Sequence, residues 1–321
     1  MGVVCTNEAR VLFSPLAEPQ RFLPEGPRVV TLRGRRAIAW VNIQTAADAT
    51  RGELHFWYPD TAEHQVVPVP GRPGFLMPTD RPDTLLLGLT KEVGLYHVPS
   101  GGWEPLAAIP DDSPRTIVND GEPLPGGRGV VFGTKDVNFA EPIGHLYLLT
   151  LDDRKLTVLA GGQTCSNGKV FADEGGELVL YDIDTPRRMV VRYRLDRQFR
   201  TLEDRGVAVD LRAVDGYPDG MVGCGDGTVV VAFYEPDPVP AGRAGRYRLG
   251  NGELVEQWTT PGSPRVTCPL LVEQDGVKLI LTTAVEGMPA EMRAKCPHAG
   301  ALFVADTTLT GVPAGEVVRV G

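Results

Sequence analysis

The sequence lacks most of the motifs and runs that identify common classes of protein. Its 321 residues contain no HExxH pair of the zincin type and no GxSxG elbow for a serine nucleophile. No apolar run approaches the roughly 18 residues that cross a membrane. No basic cluster offsets the formal net charge of -9, which repels phosphate backbones. These absences predict a protein without membrane or nucleic-acid partners.

Cysteine is scarce, and a targeting segment is not evident. The five cysteines are odd in number, widely spread and never arranged as CxxC, so a zinc knuckle or redox pair is excluded. We expect them to be buried free thiols. The first residues lack the basic start and apolar region of a secretory signal, which predicts a cytoplasmic protein.

Helical periodicity is also absent, whereas turn-forming residues are plentiful. The 38 Gly and 28 Pro separate short runs of β-branched and aromatic residues, a pattern typical of strands and turns. Similar strand, loop and strand segments begin near residues 37, 129, 177 and 228. Their spacing fits a repeat of roughly 50 residues with one unit skipped.

A repeat of that length suits a four-stranded propeller blade, and the chain has room for about six. We therefore predict an all-β, six-bladed β-propeller that forms one domain over residues 1–321. Because a propeller must close its ring, residues 9–13 are expected to complete the last blade beside residues 301–305. Two β-sandwiches are the competing architecture, but the composition shows no central linker for them.

Four short polar motifs recur in order along the chain. They are PEGP at 24–27, NDG at 119–121, SNG at 166–168 and PDGM at 218–221. Taken singly, Asn-Gly and Asp-Gly are most simply tight turns, because these residues tolerate positive φ. In a propeller, however, the inner strands of successive blades converge on one mouth of the channel. A Glu, an Asn and an Asp that meet there would form an all-oxygen site suited to Ca²⁺, Mg²⁺ or Mn²⁺.

Through these motifs the chain resembles the senescence-marker-protein/gluconolactonase family, which includes regucalcin, sugar lactonases and luciferin-regenerating enzymes. The similarity also covers WVNI at 40–43, LYDIDTPRRMVVRYRLD at 180–196 and VTCPLL at 266–271. The resemblance implies a six-bladed propeller with one divalent cation held by Glu25, Asn167 and Asp219. Ca²⁺ is the first choice, and Mg²⁺, Mn²⁺ and Zn²⁺ are the others. The resemblance also implies that Asn119 faces the substrate.

The residues expected to contact the substrate depart from the family pattern. In the sugar lactonases an arginine precedes the substrate-facing asparagine by two residues, but here that position is Ile117 and the nearest arginine is Arg115. Arg115 and Asn138 are the further substrate-binding candidates. An apolar side chain at 117 cannot donate hydrogen bonds to a hydroxyl-rich ring. Ordinary aldonolactones are therefore predicted to be poor substrates unless Arg115 reaches in.

The sequence thus predicts a metal-dependent hydrolase of lactones in which Asp219 accepts a proton from the attacking water. The alternative is a non-catalytic metal-binding propeller that recruits a partner elsewhere, and turnover of lactones separates the two. A propeller enzyme of the strictosidine-synthase-like class would share the architecture but not the set Glu25, Asn167 and Asp219. The expected partner is a small-molecule lactone, and the expected assembly is a monomer or weak homo-oligomer.

Overall fold

Six sheets arranged in a ring make up the computed structural model, which describes residues 4–321. Two short strands, β1 (Cys5–Glu8) and β2 (Arg10–Phe13), precede the first blade. The other strands follow in chain order: β3 (Pro24–Leu32), β4 (Arg35–Asn42), β5 (Glu53–Tyr58) and β6 (Glu63–Pro68) in blade one; β7 (Pro73–Pro78), β8 (Thr84–Leu89), β9 (Glu92–His97) and β10 (Gly102–Ala108) in blade two; β11 (Thr116–Pro123), β12 (Gly129–Asp136), β13 (Gly144–Thr150) and β14 (Lys155–Gln163) in blade three; β15 (Ser166–Glu174), β16 (Glu177–Asp184), β17 (Met189–Leu195) and β18 (Leu202–Asp210) in blade four; β19 (Tyr217–Gly223), β20 (Thr228–Tyr234), β21 (Ala241–Arg248) and β22 (Leu254–Pro261) in blade five; β23 (Val266–Glu273), β24 (Val277–Thr283) and β25 (Leu302–Asp306) in blade six. The predicted six-bladed β-propeller is confirmed.

Contacts between innermost strands and pairing of the first two strands close the ring. Each innermost strand packs beside that of the next blade, and β23 returns to β3. β2 is the outermost strand of blade six, where Arg10 pairs with Val304 and Val11 with Phe303 of β25. β1 runs parallel to β22 and adds a fifth strand to blade five, a pairing that the sequence did not predict.

Apolar side chains between adjacent blades form the core. Phe56 of blade one and Leu87 of blade two, for example, belong to one buried cluster. Trp40 and Trp258 are the largest side chains without exposed surface. Burying a large apolar side chain stabilises a fold by roughly 1.5–3 kcal/mol. This packing fixes the blades relative to one another and therefore fixes where each innermost strand begins.

Every innermost strand carries one irregularity in its pairing with the second strand of its blade. The shifts in register lie at Glu25/Arg28, Pro73/Phe75, Val118/Gly121, Asn167/Lys169, Pro218/Met221 and Val266/Pro269. A β-bulge leaves a residue outside the ladder and re-aims its side chain. The four polar motifs therefore lie at bulges within strands that surround the channel.

The glycines of the NDG, SNG and PDGM motifs serve close packing, so the tight-turn interpretation of the Asn-Gly and Asp-Gly pairs was wrong. A Cβ at Gly168 would lie 2.4 Å from the Cβ of Met221 on the next innermost strand. A Cβ at Gly220 would lie 2.6 Å from the sulfur of Cys268 on the strand after that. Neither glycine has a positive φ. The Asn-Gly and Asp-Gly pairs thus allow neighbouring innermost strands to approach each other.

Three smaller features complete the fold. The connection between β24 and β25 contains the helix α1 (Ala290–Lys295), which buries Met292 against the core. Four of the five cysteines are buried free thiols as predicted, whereas Cys5 is exposed, so the prediction was wrong for Cys5. Among the helices of residues 4–321, none combines the length and the hydropathy of a membrane span.

Candidate functional site

The bulges of four innermost strands bring predicted site residues together at one mouth of the channel. Glu25 stands on β3, Asn119 on β11, Asn167 on β15 and Asp219 on β19. A hydrogen bond of 2.9 Å from Asn119 Nδ2 to Asn167 Oδ1 joins blades three and four. Burial, and after it the charge of Asp219 on blade five, raises the pKa of Glu25 on blade one.

A chain of hydrogen bonds fixes the two amide side chains. Asn119 Nδ2 also donates to the main-chain oxygen of Ser166 at 2.8 Å, so both of its hydrogens are used. Asn167 Nδ2 donates to Thr185 Oγ1 at 2.7 Å, and this hydroxyl donates to the main-chain oxygen of Pro218 at 2.9 Å. Asn119 therefore meets a ligand with its oxygen only. Asn167 Oδ1, which already accepts one hydrogen bond, keeps one lone pair.

Within residues 4–321, the two carboxylates of the site have no cationic partner at ion-pair distance. Burial raises the pKa of Asp219 well above its ordinary value; the charge of Lys135 opposes this shift, and those of Asp120 and Glu286 add to it. No salt bridge within residues 4–321 includes Glu25 or Asp219. Two like charges in a desolvated site are costly unless a cation joins them.

This donor set fits a hard divalent cation. The carboxylate oxygens of Glu25 and Asp219 and the free lone pair of Asn167 Oδ1 supply only oxygen, which Ca²⁺ and Mg²⁺ prefer. A cation would also neutralise the two facing carboxylates. Within residues 4–321, His, Cys, Asp and Glu side chains nowhere form a group of three or more suited to a metal ion. The candidate site consists of two carboxylates and one amide, and its role in metal binding stays a prediction.

A buried ion pair that sequence analysis missed holds the β15 bulge. The ammonium of Lys169 has no exposed surface, and it donates to the main-chain oxygen of Asn167 at 2.6 Å and to Ser166 Oγ at 2.8 Å. Asp182 on β16 pairs with it at 3.2 Å. The sequence feature that could have indicated this ion pair is a lysine directly after the SNG motif, at the start of a strand. The pair ties the backbone that presents Asn167 to the neighbouring strand.

Arg115 and Asn138 do not bond to the other site residues. Arg115 forms a two-pronged ion pair with Asp136, with Nε to Oδ1 at 3.1 Å and Nη2 to Oδ2 at 2.6 Å, and it also contacts Glu141 at 3.0 Å. Asn138 is exposed on the loop between β12 and β13, where its main-chain N–H donates to Asp136. Ile117 is buried. The substrate-binding roles of Arg115 and Asn138 stay predictions.

Replacing Arg115 by Ala should lower the melting temperature, because the buried Asp136 carboxylate loses its cationic partner. The Arg115 guanidinium holds the pKa of Asp136 well below its ordinary value. The stabilisation of the folded state by this ion pair is therefore present at neutral pH and is lost as the pH falls below about 4. The difference in melting temperature between wild type and variant should shrink in acid.

Two further measurements complete this test. Arg128→Ala removes an exposed pair with Asp152 and serves as the matched control, with little expected effect on stability. A substrate-binding role requires in addition that Arg115→Ala raises KM for D-glucono-1,5-lactone. An unchanged KM would make Arg115 a structural residue only.

The loop between β12 and β13 reaches across the mouth. Phe139, which is 44% exposed and has a φ of 53°, meets Tyr217 edge-on with ring centroids 6.3 Å apart. Tyr217 begins β19, two residues before Asp219. The loop thus links blade three to blade five beside the candidate site. Asn138 lies on this loop.

On the other side of the bulges the channel holds a cavity of about 1560 Å³. Its wall includes Asp120, Met221 and Cys268 from innermost strands, and Pro313 from the last segment of the chain. The proposed metal ligands do not line this cavity. They lie at the mouth where the innermost strands begin.

Fold and site together define a class of protein, a six-bladed propeller with buried carboxylates and amides at the bulges of its innermost strands. The sequence matches the SMP-30/Gluconolactonase/LRE-like region over residues 23–285. The chain therefore belongs to the SMP-30/gluconolactonase/LRE-like family, as its motifs predicted.

Individual relatives support this assignment. An L-arabinolactonase from Azospirillum brasilense is 26% identical over 299 residues, which cover 92% of this chain and 92% of the relative. A regucalcin from Danio rerio is 29% identical over 205 residues, 63% of this chain and 66% of that protein. The crystal structure of a calcium-binding regucalcin from Agrobacterium tumefaciens has a TM-score of 0.80 and 22% identity, with 99% of both chains covered. This structure shares the fold.

Proposed function

We propose that this protein is a divalent-metal-dependent hydrolase of lactones, with Ca²⁺ as the preferred cation. The family membership and the similarity to an L-arabinolactonase support lactone hydrolysis. The observation that supports a metal is the presence of two buried carboxylates, Glu25 and Asp219, that form no salt bridge within residues 4–321 and lie next to an amide oxygen with a free lone pair. The calcium-binding protein that shares this fold supports the choice of cation.

In this proposal Glu25, Asn167 and Asp219 hold the cation, which when bound polarises the lactone carbonyl and acidifies a neighbouring water. Asp219 accepts the proton of the attacking water, because the Asn167 amide cannot act as a base. The water oxygen bonds to the carbonyl carbon, the ring C–O bond breaks, and the ring oxygen takes up the proton that Asp219 received, which gives a hydroxy acid. Asn119 accepts a hydrogen bond from a substrate hydroxyl through Oδ1, since its hydrogens are committed.

Removal of divalent cations by a chelator should abolish lactone hydrolysis, because the two carboxylates would then face each other without a counter-charge. Ca²⁺, Mg²⁺, Mn²⁺ and Zn²⁺ should restore activity to different degrees. The measurement is the initial rate of acid release from a panel of γ- and δ-lactones before chelation, after it, and after each addition. Full activity of the metal-free protein would contradict the mechanism.

The same samples separate the enzyme from a non-catalytic metal-binding propeller. A cation at 100 times its Kd stabilises the folded state by about 2.7 kcal/mol, which a thermal melt detects. Stabilisation by the metal without turnover on any lactone of the panel would favour the non-catalytic alternative.

A further inference from the structure

Lys135 lies at the end of β12, on the mouth that carries the candidate site. Its Cα is paired with that of Ile117 on β11. Residues directly opposite in an antiparallel pair project to the same face, so the two side chains lie together. Lys135 also forms an isolated bridge with Cys165, two residues before Asn167. The lysine therefore stands where the innermost strands of blades three and four begin.

The ammonium of Lys135 has no partner in the part of the chain that the structure describes, whereas its neighbours on the strand do. Thr134 Oγ1 accepts a hydrogen bond from the main-chain N–H of His145 at 2.9 Å, and Asp136 is paired with Arg115. Lys135 is half-buried, and its side chain forms no hydrogen bond or salt bridge with any residue from 4 to 321. A half-buried charge without a counter-charge is unfavourable in the free protein.

The charge of Lys135 acts on the site. Burial raises the pKa values of Glu25, Asp219 and Cys165, and the ammonium of Lys135 lowers all three. These groups belong to blades one, five and four, and the pairing with Ile117 and the bridge to Cys165 place Lys135 at the same mouth. Asp120 on β11 also acts on Glu25 and Asp219 through its charge, but it accepts a hydrogen bond from Gly121 N–H and lines the cavity on the other side of the bulges.

A divalent cation held by Glu25 and Asp219 would neutralise those two carboxylates. Asp120 and Glu286 also act on Asp219 through their charges, but neither forms a salt bridge with Lys135 within residues 4–321. The Lys135 ammonium therefore remains available to an anionic ligand group, with which it can form a charge-assisted hydrogen bond. We propose that Lys135 binds a negatively charged substituent of the substrate, so that the preferred lactones carry a carboxylate or a comparable anionic group. This inference rests on the proposed function.

Two lactones with the same five-membered ring test it. D-Glucaro-1,4-lactone carries a carboxylate at C6 where D-glucono-1,4-lactone carries a hydroxymethyl group. The measured quantity is the ratio of kcat/KM for the glucarolactone to kcat/KM for the gluconolactone, with Ca²⁺ present. Wild type should favour the glucarolactone. Lys135→Met should lower the ratio at least about tenfold, the size of a lost hydrogen bond to a charged group.

Controls distinguish charge recognition from a structural effect. Lys135→Arg keeps the positive charge and should keep the preference. Lys155→Met removes an exposed lysine of β14 and should leave the ratio unchanged. A lysine that merely compensates Glu25 and Asp219 would change metal affinity and stability but would affect both lactones equally. An equal effect on both substrates, or a wild-type preference for the gluconolactone, would overturn the inference while the proposed function stands.

A second readout covers the case in which the proposed function fails. If wild type hydrolyses neither lactone, calorimetric titration of the Ca²⁺-loaded protein with each lactone decides the role of Lys135. Tighter binding of the glucarolactone to wild type than to Lys135→Met would support the anion site. Equal binding by the two proteins, or no binding by either, would refute it.

Discussion

Asp219→Asn should lower the turnover number by roughly 10²-fold or more, the size expected when general-base assistance is lost. The substitution keeps the shape of the side chain and one oxygen ligand but removes its charge and its basicity. Asp219 is buried at the β19 bulge and makes no salt bridge in the described part of the chain. Thermal melts of wild type and variant should therefore be similar, and rates at saturating Ca²⁺ measure the catalytic loss.

Glu25→Gln is the matched comparison, because it removes the charge of another proposed ligand without removing the proposed base. It should weaken metal affinity, and part of the activity should return at high metal concentration. Rate against metal concentration separates the two variants. Near wild-type turnover of Asp219→Asn at saturating metal would remove its catalytic role and leave it as a residue of the bulge.

Lys169→Met should reduce the free energy of unfolding by about 3–5 kcal/mol, since removal of one partner leaves the Asp182 carboxylate buried without compensation. In a melt this corresponds to a decrease on the order of 5–10 °C. Burial raises the pKa of Asp182, and the charge of Lys169 opposes that shift. The variant should also lose activity, because Lys169 donates to the main-chain oxygen of Asn167.

The pH dependence of this destabilisation follows from the same pKa. A carboxyl whose pKa is raised in the folded state destabilises the fold when it is ionised, so the cost grows as the pH rises. Without Lys169 the pKa of Asp182 rises further, and the variant should be closer to wild type at pH 5 than at pH 8. The double variant Lys169→Met/Asp182→Leu should recover most of the stability. If Lys169→Met is as stable as wild type at pH 8, the ion pair between Lys169 and Asp182 does not stabilise the position of β15.

The sequence predicted the middle strands of the blades best. Apolar runs bounded by turn formers lie at residues 53–58, 84–89 and 189–195, a pattern that predicts buried strands. These runs coincide with β5, β8 and β17 at both ends. The innermost strands were not among the predicted runs. Segments such as Pro218-Asp219-Gly220 contain residues that are rare in strands, and they become strands only because the neighbouring blades enclose them.

For the site, the sequence supplied the residues but not their contacts. Motif order and family resemblance selected Glu25, Asn119, Asn167 and Asp219, and the structure brings these four together. The partners of Lys169 and the isolation of Lys135 could not be predicted. They depend on the register beside each bulge, where a shift of one residue moves a side chain to the other face.

The pairing of β2 with β25 also constrains how the chain folds as it is synthesised. Blades one to four consist of strands that are consecutive in sequence, so each can form by local pairing soon after it leaves the ribosome. Blade six needs β2, which is translated before the other five blades, and three strands that are translated after them. β1 must therefore wait for its partner in blade five and β2 for its partner in blade six, and closure of the ring is the last step of assembly. During that interval the edge of β2 is available to other chains, which makes the newborn protein more prone to aggregation than the finished ring.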